Sequence, residues 1–184
     1  AAKKAALNAD AQQKIAIAKA AKDDTLNWDG ELVKIKGGGV INQASVDSGA
    51  TSPEIEALKK QVAEKPQDTD ALFKLANAYQ DAKNWNGAIQ SWQKMSGLLP
   101  DWAPAYYSQG YAQQQAGNNE LAVIAYEKYI ATLKPAEIES SKEILSYAYF
   151  AVSYLSKDSN PEKAKQYVSK SLELNPSYQD AINL

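Results

Sequence analysis

The chain contains no histidine, no cysteine and no arginine. The absence of cysteine excludes disulfides, thiolate metal sites and cysteine nucleophiles, and the absence of histidine removes the usual general base and a common metal ligand. Without arginine, no guanidinium group is present to bind phosphate or carboxylate through two hydrogen bonds. We therefore expect a non-enzymatic protein with no metal and no cofactor.

Long apolar runs are also absent. No stretch approaches the roughly 18 apolar residues that a membrane-spanning helix needs, so we expect no membrane span. The chain begins at Ala1 without an initiator methionine, which is compatible with signal-peptide cleavage, methionine excision or trimming. Among these we favour export, and hence a periplasmic or extracellular location.

Positive charge is concentrated at the start of the chain. Residues 1–22 hold five lysines and one acid, a net charge of +4, whereas residues 23–52 and 53–184 each carry −3. A basic arm therefore precedes an acidic body. Because the body has no basic face with interleaved aromatic residues, we expect no nucleic-acid binding.

The arm itself has two parts. Residues 1–22 are mostly strong helix formers, with Leu7 and Ile15 on one face, and such a helix needs packing to be stable in water. A solvated arm is the alternative. In residues 23–52, three glycines separate two short apolar runs, namely Leu32, Val33 and Ile35, then Val40 and Ile41. A flexible linker, an extended segment that docks on another surface, and a small hairpin all stay open.

The second domain repeats with a 34-residue period, visible at small residues and large aromatic residues. The first copy contains Leu72, Leu75, Ala76, Tyr79, Trp85, Ala88, Trp92 and Pro100. The second contains Tyr106, Gln109, Gly110, Gln113, Asn119, Ala122, Tyr126 and, one step late, Pro135. The third, shifted by eight residues, contains Ala148, Ala151, Val152, Leu155, Ala164, Val168, Leu172 and Pro176.

Small residues at fixed positions let two helices approach closely. In each copy one lies on the first helix and one on the second, in the pairs Ala76 and Ala88, Gly110 and Ala122, and Val152 and Ala164. Proline then ends the second helix. Each helical hairpin leaves an apolar face that another hairpin must cover, so the hairpins are expected to stack.

This arrangement resembles the tetratricopeptide repeat family. The family pattern of a bulky residue, Leu-Gly, Tyr, Ala, Phe and Pro is matched best by Leu72, Leu75-Ala76, Tyr79, Ala88, Trp92 and Pro100. The resemblance implies an all-α, right-handed helix-turn-helix solenoid after a non-repeat arm at 1–52. Within residues 53–184 we place a leading helix at 53–65, repeats at 68–101, 102–135 and 137–177, and the start of a terminal helix at 178–184.

The third repeat departs from the family pattern in length. Its eight extra residues fall within 136–158 and predict about two added turns on its first helix. That helix is then expected to project beyond its neighbours.

Three short strings resemble catalytic or ligand-binding motifs and are rejected. Ser91 and Lys94 have Ser-x-x-Lys spacing, but Trp92 between them occupies a predicted core position. An acidic stretch at 23–30 lacks the bidentate glutamate of a calcium loop, since Lys36 stands there. The glycines at 37–39 lack the Lys-Ser/Thr of a phosphate-binding loop.

The resemblance also implies a partner-binding groove. In this family the fifth, ninth and twelfth positions of each first helix face inward, and here they give an aromatic ladder flanked by amides and hydroxyls. We expect this surface to bind a peptide or a partner protein, although the rings could simply stiffen adjacent helices. The residues are Phe73, Asn77, Gln80, Tyr107, Tyr111, Gln114, Tyr149, Ser153 and Ser156.

A second hypothesis is self-assembly. The array starts with a lone second-type helix and ends with the start of a first-type helix, so copies could join head to tail into an open filament. Self-capping by a short terminal helix is the alternative. The possible assembly contacts are Leu7, Ile15, Leu32, Val33, Ile35, Val40, Ile41, Leu58, Tyr178, Ile182 and Leu184.

Overall fold

A computed structural model describes residues 25–26, 32–34, 40–42 and 52–184. The expected all-α class is confirmed for the repeat domain. Its α-helices are α1 (Pro53–Glu64), α2 (Thr69–Asp81), α3 (Trp85–Leu98), α4 (Ala103–Gln115), α5 (Asn119–Thr132), α6 (Lys142–Ser156), α7 (Pro161–Leu174) and α8 (Gln179–Ile182).

Three short strands precede the helices. They are β1 (Thr25–Leu26), β2 (Leu32–Lys34) and β3 (Val40–Asn42), which form an antiparallel sheet in the order β1-β2-β3. Leu26 pairs with Val33, and Val33 pairs with Ile41. The helix expected at 1–22 and the residue Ile35 lie outside the described residues.

Side-chain caps define where several helices begin. Ser52, Asp68, Asn84 and Asn160 each precede a helix and accept a hydrogen bond from the backbone N–H three residues later, at 3.0 to 3.2 Å. These bonds satisfy N–H groups that have no partner within the helix. Residues next to each helix therefore fix the position at which α1, α2, α3 and α7 begin.

The first two hairpin turns share one backbone geometry. Lys83 and Gly117, which are 34 residues apart, both adopt positive φ, at 55° and 79°. The next residue in each turn donates its N–H to a carbonyl five residues earlier, as Asn84 does to Tyr79 and Asn118 to Gln113. This closes the end of the first helix in the manner of a Schellman motif. Only one of the two turns places glycine at the left-handed position.

The chain divides into two compact units, residues 1–100 and 101–184. In the first unit α1 packs on α2, and α2 pairs with α3. In the second unit α4 pairs with α5, α5 packs on α6, α6 pairs with α7, and α7 contacts α8. Each unit has its own apolar core, which contains Ile55, Leu72, Leu75, Trp92 and Met95 in the first, and Tyr106, Tyr126, Tyr129, Leu145 and Val152 in the second.

The small residues predicted at the helix contacts are buried. Ala76, Ala88 and Ala122 have no exposed surface, and Ala164 is 7% exposed. At two glycines the approach is closer still. A Cβ on Gly87 would lie 2.7 Å from the ring of Tyr79, and one on Gly110 would lie 2.8 Å from the ring of Tyr126.

The third repeat corrects one expectation. Its extra residues do not extend the first helix by two turns, because α6 spans Lys142–Ser156 and has 15 residues, against 13 in α2 and α4. They form a short 3₁₀ helix, Pro135–Glu137, and the turns that follow it. The Glu137 carboxylate accepts the N–H of Lys134 at 2.9 Å, which holds this connection in a compact form.

We predict opposite stability changes at the two equivalent turn positions. Lys83→Gly should raise the free energy of unfolding by about 1 kcal/mol, because glycine adopts positive φ without the steric cost of a Cβ. Gly117→Ala should lower it by about 1 kcal/mol for the same reason. Urea denaturation followed by circular dichroism measures both changes.

Lys94→Ala, on the exposed face of α3, serves as the control and should change stability by less than about 0.5 kcal/mol. Equal signs for the Lys83 and Gly117 variants would contradict the shared turn geometry.

Candidate functional site

The inner-face positions of the first unit combine one exposed ring with an amide. Phe73 is 43% exposed, and its ring meets the buried ring of Trp92 edge-on, with centroids 5.7 Å apart. Asn77, one turn later on α2, donates from Nδ2 to the Phe73 carbonyl at 2.9 Å. This bond fixes the amide and leaves its oxygen as an available acceptor beside the ring.

The two predicted glutamines have an internal role that the sequence analysis did not anticipate. The Gln80 side-chain oxygen accepts the indole N–H of Trp92, and Gln114 Oε1 accepts the hydroxyl of Tyr126 at 2.9 Å. Both pairs are 12 residues apart and join the two helices of one hairpin. Each buried aromatic donor thereby gains a hydrogen-bond partner, which it needs because an unpaired buried donor is costly.

Tyr107 lies at the centre of an aromatic cluster in the second unit. Its ring centroid is 5.4 Å from that of Tyr129, 5.8 Å from that of Tyr126 and 6.1 Å from that of Tyr147, all in edge-on geometry. The hydroxyl of Tyr147 also donates to Gln114 Oε1, at 3.4 Å. Tyr107, Tyr111 and Gln114 are partly exposed, so the structure brings three predicted inner-face residues together.

Burial opposes ionisation of three of these phenols. It raises the pKa of Tyr107 to about 12 and also raises the pKa values of Tyr126 and Tyr129. The neighbouring phenols add to the effect on Tyr107 and Tyr126, since one ionised ring would oppose ionisation of the next. Ionisation of Tyr107, Tyr126 and Tyr129 is therefore opposed in the folded state.

Tyr149 belongs to a different cluster. Its ring meets that of Tyr167 on α7 at 5.5 Å, and Lys170 Nζ lies over both rings at 5.5 and 5.7 Å. The hydroxyl of Tyr167 donates to Glu127 Oε1 at 2.8 Å, and Lys163 pairs with the same oxygen at 2.9 Å. Ring and cation–π contacts thus join this part of α6 to α7, and the contacts of Glu127 join α7 to α5.

Two predicted site residues do not reach the surface. Ser153 is completely buried and donates from Oγ to the carbonyl of Ala164 at 2.7 Å. Ser156 is also buried and donates to the carbonyl of Val152. Their hydroxyls lie inside the α6–α7 hairpin, so the expectation that they line a groove is wrong for this structure.

Tyr147 and Phe150 also contribute to the aromatic cluster around Tyr107, although neither was predicted as a site residue. Tyr147 joins the Tyr107 cluster, and Phe150 links it to Tyr178, whose ring centroid is 5.0 Å away. The signal was present: Tyr147, Phe150 and Tyr154 follow helical spacing along one face of α6, whereas Tyr149 points to another. The link between Glu127 and Tyr167, 40 residues apart, had no comparable signal.

The proposed assembly contacts fall into three groups. Ile182 and Leu184 are 52% and 42% exposed, while Tyr178 is partly buried against Phe150. Leu58 is buried within its own unit, which contradicts its expected role as an exposed contact. Leu7, Ile15 and Ile35, and the side chains of Leu32, Val33, Val40 and Ile41, lie outside the described part of the chain.

Within the described residues, no group of three or more acidic side chains could hold a metal ion. No helix among them is both long and apolar enough to cross a bilayer.

The tetratricopeptide-repeat family model matches residues 70–97 and 104–132. The chain contains tetratricopeptide repeats. The two matched segments cover the hairpins α2–α3 and α4–α5, whose turns share the same left-handed position. The α6–α7 hairpin lies outside the matched segments, in keeping with its extra residues and its different inner-face contacts.

Two solved structures of MamA share the fold. One is 28% identical in sequence, with a TM-score of 0.57 over 69% of this chain and 70% of its own. The other is 26% identical, with a TM-score of 0.59 over 69% of this chain and 65% of its own. No curated protein matches the chain. The repeats and these structures support an all-α solenoid that acts as a protein–protein interaction scaffold, a fold that is typically non-catalytic.

We predict that the tetratricopeptide-repeat domain loses stability between pH 10 and 12. Ionisation of Tyr107 and Tyr178 is opposed in the folded state, where burial raises the pKa of each to about 12 from an ordinary value of 10.0. Their contribution to stability is therefore complete below pH 10 and decreases as the pH rises towards 12. Tyrosinate absorbance and circular dichroism, recorded together against pH, should change in one coincident transition.

A Tyr178→Phe variant should show a shallower loss of stability over the same pH range. Phenol ionisation that is complete before any helix is lost would contradict the prediction.

Proposed function

We propose that this chain binds an extended peptide segment of a partner protein on the inner face of its repeats. The proposal rests chiefly on Phe73, a large apolar side chain that is 43% exposed beside a fixed amide. An exposed ring supplies apolar contact area at low entropic cost. The neighbouring Asn77 oxygen is available to accept a peptide N–H.

The second unit has a related surface, which offers a hydrogen-bond donor where the first unit offers an acceptor. Gln114 uses its oxygen for two phenols, so its Nε2 group is the donor that this partly exposed side chain has left. A peptide backbone carries both donors and acceptors and can use either surface. Neither patch contains a nucleophile paired with a base, which favours binding over catalysis.

The first test replaces Phe73. Peptides selected from a random library on the immobilised protein should bind the Phe73→Ala variant roughly tenfold or more weakly, because truncating an exposed aromatic anchor at an interface typically costs 1 to 2 kcal/mol. Isothermal titration calorimetry gives the affinities. Phe73 is exposed, so the variant should keep its helical circular dichroism signal.

Ile144→Ala provides a matched control. Ile144 is 46% exposed on α6 and is not one of the predicted inner-face residues, and its replacement should leave peptide affinity unchanged. Equal losses for the two variants, or selected peptides that bind Phe73→Ala as well as the wild type, would refute the proposed surface.

We infer a second candidate function, self-assembly, from the exposed apolar residues near the last helix. Ile182 is 52% exposed and Leu184 is 42% exposed, and the 47% exposed Tyr154 lies one turn from Phe150, which packs on Tyr178. Exposed apolar residues that lie close together are typical of interaction surfaces. A copy of this chain that covered them would extend the array.

The Ile182→Asn, Leu184→Asn double variant tests assembly. Light scattering across protein concentration should show a mass that increases for the wild type and stays monomeric for the variant, because the polar side chains remove apolar area from the contact. An Ile138→Asn, Ile144→Asn variant, with exposed residues elsewhere, should assemble like the wild type. A wild-type protein that is monomeric at high concentration would exclude the filament.

A further inference from the structure

The second unit contains a group of phenols around one carboxamide, which we call the phenol cluster: Tyr107, Tyr126, Tyr147, Tyr178 and Gln114. The hydroxyls of Tyr126 and Tyr147 donate to Gln114 Oε1 at 2.9 and 3.4 Å. The ring of Tyr107 packs against both of those rings. Tyr178 adjoins the group through Phe150, whose ring centroid is 5.0 Å from that of Tyr178 and 6.3 Å from that of Tyr147.

The internal hydrogen bonds of the cluster determine which of its donors and acceptors a ligand can use. A carboxamide oxygen has two lone pairs, and in Gln114 two phenols occupy both. The Gln114 Nε2 group keeps two N–H donors with no partner among the described residues. The hydroxyls of Tyr107 and Tyr178, both on partly exposed side chains, also have no hydrogen-bond partner within the described part of the chain. The cluster therefore presents several donors, while its strongest acceptor is occupied.

The charges around the cluster argue against an anionic ligand. In the described part of the chain, the lysine ammonium groups that lie over tyrosine rings are at Tyr106, Tyr149, Tyr154 and Tyr167, none of which belongs to the cluster. The charged group that acts on Tyr178 is the carboxylate of Asp180. An acidic segment would meet the Asp180 carboxylate, and no lysine of the described residues lies over a ring of the cluster, so a neutral ligand is favoured.

We propose that the phenol cluster binds a neutral, proline-rich segment in the polyproline II conformation. This proposal rests on the proposed peptide-binding function and names the class of peptide. Proline has no backbone N–H, so such a segment presents carbonyl acceptors and flat ring surfaces. Phenol hydroxyls and the Gln114 Nε2 group match the carbonyls, and the tyrosine rings match the proline rings. A segment rich in free N–H groups would find only phenol oxygens as acceptors, because the Gln114 oxygen is already occupied.

A synthetic oligoproline peptide tests the proposal against a glycine–serine peptide of equal length, with isothermal titration calorimetry as the readout. The full chain should bind the oligoproline peptide and bind the glycine–serine peptide at least tenfold more weakly. Tyr107→Phe and Tyr178→Phe keep the rings and remove one hydroxyl each, so each should weaken binding roughly 2- to 12-fold. Tyr167→Phe, in the other aromatic cluster, should bind like the wild type.

Three results would overturn the proposal: no binding of the oligoproline peptide, equal affinity for the two peptides, or tighter binding of an oligoglutamate peptide. Peptides selected on the wild type that depend on Phe73 but contain no proline would leave the proposed function intact and overturn this inference alone. Circular dichroism of each Phe variant establishes that a loss of binding is not a loss of fold.

Discussion

Every hairpin depends on how closely its two helices approach each other. Apart from Val152, the contact positions are alanine or glycine, and at Gly87 and Gly110 no room remains for even one methyl group. A side chain on either glycine would separate the helices and open a cavity beside the aromatic residues that fill the space between them. The close approach is therefore what buries Tyr79, Trp92 and Tyr126.

Burial of an aromatic donor has a consequence for the inner face. The indole of Trp92 and the phenol of Tyr126 lose contact with water and need an acceptor, which Gln80 and Gln114 supply from 12 residues earlier. The same amides that line the predicted groove are thus parts of the hairpin. Their oxygens accept hydrogen bonds within the hairpin, so only their N–H groups are left to donate to a ligand.

Local patterns made much of this fold predictable. The ends of the second helices follow from proline, and the pairing follows from the spacing of small residues. The choice of neighbour for a long side chain does not follow from spacing. Tyr149 and Tyr147 are two residues apart on one helix, and only packing decides which ring meets Tyr107 and which meets Tyr167.

The connection before α6 is a second feature that the sequence pattern did not predict correctly. Eight additional residues can lengthen a helix or form a turn, and helix propensity alone favours the helix. The carboxylate of Glu137, which accepts the backbone N–H of Lys134, stabilises the turn instead. Ser153 was predicted to be at the surface but is buried. Its hydroxyl donates to a backbone carbonyl, which allows a polar side chain to lie in the core.

The phenol cluster exists because the third repeat differs from the first two at one position. Ala71 and Ala105 occupy equivalent places in the first and second repeats and have no exposed surface, and the eight-residue shift puts Tyr147 at that place in the third. A tyrosine there carries its ring to Tyr107 and Tyr126 and its hydroxyl to Gln114. The Gln114 oxygen then accepts from two phenols. With only one phenol, one of its two lone pairs would have no donor. A departure from the repeat pattern, rather than the pattern itself, gives this surface its distinct chemistry.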